Sequence, residues 1–70
     1  MRSVASIFNQ NFMQHSGTSA EVRQRDDGRY LARFEDHEVE FHVPDGSSDM
    51  QIVGATSAPA MRLWAKVSGA

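Results

Sequence analysis

Cysteine is absent from this chain of 70 residues, which excludes disulfide staples and the common thiolate zinc sites. Long apolar runs are missing too, and nothing approaches the roughly 20 consecutive apolar residues that a membrane-spanning helix needs. Charge of one sign is not in excess either: the formal net charge is -2, so no general attraction to a nucleic-acid backbone is expected. The N-terminal stretch Met1-Arg2-Ser3-Val4-Ala5-Ser6-Ile7-Phe8 begins with a cation, but Asn9, Gln10 and Asn11 interrupt it before the apolar core of a signal peptide forms. The expectation is a soluble protein with no export signal and no membrane partner, meeting nucleic acid at most by proximity.

What is present is a short chain without repeats or polar spacers, which reads as a single domain over residues 1–70. A domain of this size buries only roughly 60% of its unfolded surface, and ordering each residue costs about 1.5 kcal/mol, so its stability is expected to be marginal. With disulfides excluded, a neighbouring subunit is the remaining staple, and a homo-oligomer is expected.

Val4, Ile7, Phe8 and Phe12 fall on one side of a helix predicted over about residues 3–15, with Ser3 as N-cap and Gly17 as stop. Segments 20–25 and 29–34 then meet across Asp26-Asp27-Gly28, an Asp-Gly signal for a β-hairpin. From Glu38 to Val43 the alternation is strict, with Val39, Phe41 and Val43 on one face and Glu38, Glu40 and His42 on the other, the pattern of a half-buried strand. Pro44 to Asp49 is dense in turn formers, and residues 50–53 read as a short strand ended by Gly54. After a loop over residues 55–59, Met61, Leu63, Ala65 and Val67 alternate with Arg62, Trp64 and Lys66, which predicts a last strand, with a short helix over 60–66 as the alternative. The fold expected is mainly β with one N-terminal helix: four to five short strands in a small open barrel or curved antiparallel sheet.

Arg23, Arg25, Arg29 and Arg33 gather on the hairpin, whereas Glu35, Asp36, Glu38, Glu40, Asp45 and Asp49 follow with no Lys or Arg among them. Such a split lets the basic hairpin of one subunit face the acidic strand of the next, although charge also keeps exposed strands soluble. Trp64, between Arg62 and Lys66 on the polar side of the expected last strand, is either an outward anchor or the cover of a barrel end. The interface candidates are therefore Arg23, Arg25, Arg29, Arg33, Glu38, Glu40 and Trp64. His37 and His42 sit among carboxylates, but residues 38, 40 and 42 project from one strand face and residue 37 lies outside it, so no tetrahedral metal set converges. No nucleophile elbow or phosphate loop frames the Ser, His and Asp residues, so no catalytic residue, metal or cofactor is expected. Tyr30 and Phe34 beside Arg29 and Arg33 have the composition of a single-strand binder, yet in a strand Tyr30, Ala32 and Phe34 share the core-facing side.

The order of these pieces resembles the lambda-type head-tail joining proteins of tailed phages: a helix with Ile7-Phe8 and Phe12, Gly17-Thr18-Ser19-Ala20, a hairpin ending in Ala32-Arg33-Phe34-Glu35-Asp36, and Val53-Gly54-Ala55-Thr56-Ser57-Ala58-Pro59 before an alternating segment. The similarity is spread over most of the chain, and no family residue carries over by motif. It implies a small β-barrel that assembles into a ring below the portal, in a virion built in the host cytoplasm, with portal, adaptor, tail or capsid proteins as partners. Joining proteins commonly continue through further strands, so a neighbour would complete the barrel, or the chain is another small virion component of the neck or capsid. The functional expectation is a non-catalytic phage structural protein. The alternatives are a small inhibitor binding a host protein through its acidic strand, and a small nucleic-acid-binding barrel using the Arg-rich hairpin.

Overall fold

Helix α1 runs from Val4 to Ser16. Ser3 starts it, its hydroxyl accepting the Ser6 N–H at 3.1 Å. Gly17 ends it in the left-handed region (φ 74), donating its N–H to the Met13 carbonyl at 2.9 Å. The structure, a computed structural model, describes residues 3–26 and 28–69.

Three strands follow, β1 (Glu21–Asp26), β2 (Arg29–Phe34) and β3 (His37–His42), in the antiparallel order β1-β2-β3. The expected hairpin is present, although Asp27 of its turn lies outside the described residues. Gly28 closes that turn at φ 78, and an added Cβ there would sit 2.6 Å from His42 Nε2. His42 is exposed and can swing away, but the left-handed backbone remains costly for any residue with a Cβ. Gly28→Ala is therefore expected to lower folding stability by about 1–2 kcal/mol, read as a fall in the urea midpoint at unchanged slope.

Strand alternation follows the sequence. Ala32, Val39, Phe41 and Val43 are buried, and Val22, Tyr30 and Phe34 pack against them, so all seven share the inner side of the sheet. The two strand segments expected beyond residue 49 do not form. A single helix, α2, runs from Asp49 to Val67, straight through Gly54 and Pro59. The short helix considered for residues 60–66 is its last part.

The physical reason lies at both ends of scale. Ser48 and Gln51 make a reciprocal capping box: the Ser48 hydroxyl accepts the Gln51 N–H at 3.2 Å and the Gln51 side chain accepts the Ser48 N–H at 2.8 Å. From there Ile52, Thr56, Pro59, Ala60 and Leu63 are buried, a spacing that repeats at helical period along one stripe. Pro59 removes one N–H from the ladder, while the Thr56 and Ser57 hydroxyls donate at 2.8 Å to the carbonyls of Ile52 and Val53 one turn back.

Two helices thus pack with the inner face of a three-stranded meander, an α-β-β-β-α arrangement and not a mainly β barrel. Phe8 stacks on Phe41 at 5.2 Å between ring centroids and on Phe12 at 6.0 Å. Tyr30 extends the stack at 5.6 Å from Phe41, and Phe12 meets Phe34 and Trp64 at 5.5 and 6.4 Å. Every aromatic side chain of the sequence belongs to this one series. Asn11 joins the helices, its amide donating to Thr56 Oγ1 at 3.0 Å.

Candidate functional site

The outer face of the sheet carries the charged candidates. Glu21, Arg23 and Arg25 of β1, Arg29, Leu31 and Arg33 of β2, and Glu38, Glu40 and His42 of β3 lie opposite the core-facing set. The register puts Arg33 between Glu21 and Glu38. Arg25 reaches over β2 to Glu40 at 2.7 Å, and Arg23 pairs with Glu21 of its own strand at 2.9 Å. One ion pair, Arg25–Glu40, therefore joins the basic hairpin to the acidic strand within the chain; it and Arg23–Glu21 are exposed pairs of the kind that contribute about 0.2–1 kcal/mol each.

The remaining acidic residues disperse. Glu35 (φ 56) and Asp36 form the β2–β3 turn, Asp45 lies in the following loop, and Asp49 sits in the first turn of α2, where a carboxylate favours the helix dipole. Trp64 does not point outward: it is half-buried against the core, edge-on to Phe12. The strand that would have turned it to solvent is a helix, and helical period places it beside the buried stripe. His37 lies inside β3 instead of before it, and among the described residues no three His, Asp or Glu side chains converge on a common point.

Strand phasing then identifies a feature that the charge pattern does not. Val43 N–H donates to the Gly28 carbonyl at 2.6 Å, so the pairs Gly28–Val43, Tyr30–Phe41 and Ala32–Val39 are the hydrogen-bonded ones between β2 and β3. The alternate residues of β2, Leu31 and Arg33, bond to Arg23 and Glu21. By the same alternation, Val22 and Gln24 direct their backbone N–H and C=O away from β2, along the outer edge of the sheet.

Each edge of the sheet has stops at its ends. On β3, Lys66 of α2 donates its ammonium to the Glu38 carbonyl at 3.0 Å, and Pro44 follows the strand with no N–H to offer. On β1, Asn9 of α1 occupies the position before the strand: its side chain accepts the Ala20 N–H at 2.7 Å and donates to the Ala20 carbonyl at 3.0 Å. At the other end a bulge falls between Gln24 and Asp26. Between these stops lie Val22 and Gln24.

Beside that stretch is a groove of about 430 Å³, where the start of α1 and the loop after β3 stand apart. Val4, Val22, Tyr30, Val43 and Ile52 supply apolar wall, and Gln24 and Asp45 are among its polar lining. The groove and the edge share Val22 and Gln24. Neither belongs to the residues singled out from the sequence, because nothing in a hairpin pattern tells which of its strands remains at a sheet edge. Comparison with family models, curated proteins and solved structures returned no match.

Proposed function

We propose that this chain is a non-catalytic assembly module that works by adding a strand at the β1 edge, and that its setting is a bacteriophage particle, at the neck or capsid surface. The observation that carries the first part is the pair of outward backbone positions at Val22 and Gln24, bordered by an apolar groove and left between the Asn9 cap and the bulge. Strand addition to such an edge takes its affinity from main-chain hydrogen bonds and its specificity from pockets for alternate side chains. The phage setting rests on the order of sequence elements that resembles the joining proteins; the barrel which that resemblance implies is replaced by a sheet under two helices.

Non-catalytic action is supported by the lining of the groove, which holds the carboxylate of Asp45 but no His, Lys or Arg to work with it. The two alternatives have less behind them. A single-strand binder stacks bases on exposed aromatics, whereas all the aromatic rings here take part in the core series. An acidic mimic needs an array of free carboxylates, and here Glu40 is held by Arg25, Glu38 stands opposite Arg33 in the register, and the other four are spread over a turn, a loop and a helix start.

The setting is tested on virions purified from the genome that encodes this chain. The protein is expected to co-sediment with particles through a density gradient at a fixed copy number. Its presence only in the soluble fraction would remove the virion reading.

A further inference from the structure

The β1 edge is complementary to a second copy of itself. We infer that two copies pair through β1, antiparallel about a two-fold axis, to form a continuous six-stranded sheet; this rests on the assembly reading and names its partner. A two-fold axis perpendicular to the sheet keeps the charged faces of both copies on one side and the helices on the other, and it requires that outer-face residues meet outer-face residues.

Two registers satisfy that rule near the middle of the strand. One sets Val22 against Val22 and needs the Ala20 backbone, which Asn9 already occupies on both its donor and its acceptor. The other sets Arg23 against Arg23 on the axis and Val22 against Gln24 of the partner subunit. This second register uses the two outward residues and no others, giving about four inter-subunit backbone hydrogen bonds.

Charge selects the same arrangement. The strand reads Glu21-Val22-Arg23-Gln24-Arg25-Asp26, with its acid at one end of the outer row and its bases further along. Antiparallel pairing in the second register brings Glu21 opposite Arg25 of the partner subunit, twice by symmetry. The like pair at Arg23 is flanked by Glu21, which already holds Arg23 at 2.9 Å within each copy. A parallel alignment would set like on like throughout. On the inner side, Val22 of each copy covers Gln24 of the other at the mouth of the groove.

The β3 edge has stops of its own, Lys66 on the Glu38 carbonyl and Pro44 without an N–H, and its outward residues Glu40 and His42 do not line the apolar groove as Val22 and Gln24 do. Pairing through β1 about a two-fold axis joins two copies, and a ring would need a separate contact. So short an edge buries well under the area of a standard interface, and the pair is expected to form in the micromolar range or weaker.

The lack of native cysteine makes the register directly readable. In a non-hydrogen-bonded antiparallel pair the facing Cα atoms lie about 4.5 Å apart, within the span of a disulfide. Arg23→Cys is expected to give a covalent dimer under mild oxidation. Leu31→Cys, one strand inward and so roughly 14 Å from its symmetry mate, is expected to stay monomeric. Sedimentation of the native chain should show dimer growing with concentration, and Val22→Pro, which removes an outward N–H without touching the β1–β2 bonds, should weaken it at least about tenfold, the loss of about 1.4 kcal/mol. Equal cross-linking of both cysteine variants, or a native chain that stays monomeric up to millimolar concentration, would overturn the inference. If Val22→Pro fails to fold, as circular dichroism would show, the cysteine pair still decides. Absence of the cross-link together with incorporation into particles would remove the two-fold pairing and leave the assembly reading standing; absence of both would remove both.

Discussion

Phe8→Ala is expected to cost about 3–5 kcal/mol of folding stability. The side chain is fully buried and is stacked between Phe12 of its own helix and Phe41 of β3, so it ties α1 to the sheet. A domain of this length has a total stability of roughly 4–10 kcal/mol, so the loss is comparable with the whole. Circular dichroism should show the variant largely unfolded at room temperature or melting far below the native chain. Trp64 gives a second reading, because its ring meets Phe12 edge-on at 6.4 Å and its emission should shift to the red as that contact opens. A Phe8→Ala variant that melts within a few degrees of the native chain would mean that α1 is not packed on the sheet as described.

The aromatic series also explains how much of the fold the sequence disclosed. In the first half, short-range chemistry and burial agree. Ser3 caps, Gly17 stops, Asp26 and Gly28 frame a turn, and Val39, Phe41 and Val43 alternate because one face of β3 is wet. Each of those signals is local, and tertiary packing has only to accept it. In the second half the signals conflict. Gly54 and Pro59 read as breakers, and Met61, Leu63, Ala65 and Val67 alternate with polar residues as a strand would.

Burial resolves the conflict in favour of the helix. Met61 is 59% exposed while Leu63 is fully buried, so the alternation does not mark a face. The stripe that does, Ile52 to Leu63, runs through a threonine and a proline that hydropathy does not flag. The Ser48-to-Gln51 spacing was the one local sign of a helix start, placed within a stretch rich in turn formers. Trp64 follows from the same point: its exposure depends on whether the period is two or 3.6. The charged candidates were legible as surface residues, but which of them meet is decided by strand order. With β2 in the middle, Arg25 and Glu40 become neighbours across a third strand, a relation that no sequence spacing contains. The edge at Val22 and Gln24 was invisible for the same reason.

Asn9 joins the stability of this fold to the control of that edge, and its removal has the second largest expected effect. Its amide acts as a one-residue strand, taking the N–H of buried Ala20 and giving a donor back to the carbonyl. Asn9→Ala leaves both backbone groups without that partner where β1 begins, at an expected cost of about 2–3 kcal/mol. Asn9→Asp keeps the acceptor for the Ala20 N–H and loses only the donor, so it should fall between the two. The Ala20 amide should exchange with solvent faster in the alanine variant than in the aspartate variant, which amide hydrogen exchange would resolve residue by residue. The same change lengthens the free edge. Once Ala20 faces outward unbonded, the register that sets Val22 against Val22 becomes available alongside the one centred on Arg23, and self-association should rise even as each subunit becomes less stable. A domain with no disulfide and a small core would ordinarily lose both together. Opposite signs for folding and association in Asn9→Ala are therefore a consequence specific to a side chain that holds one end of a sheet edge shut; a fall in both, or unchanged exchange at Ala20, would count against that role.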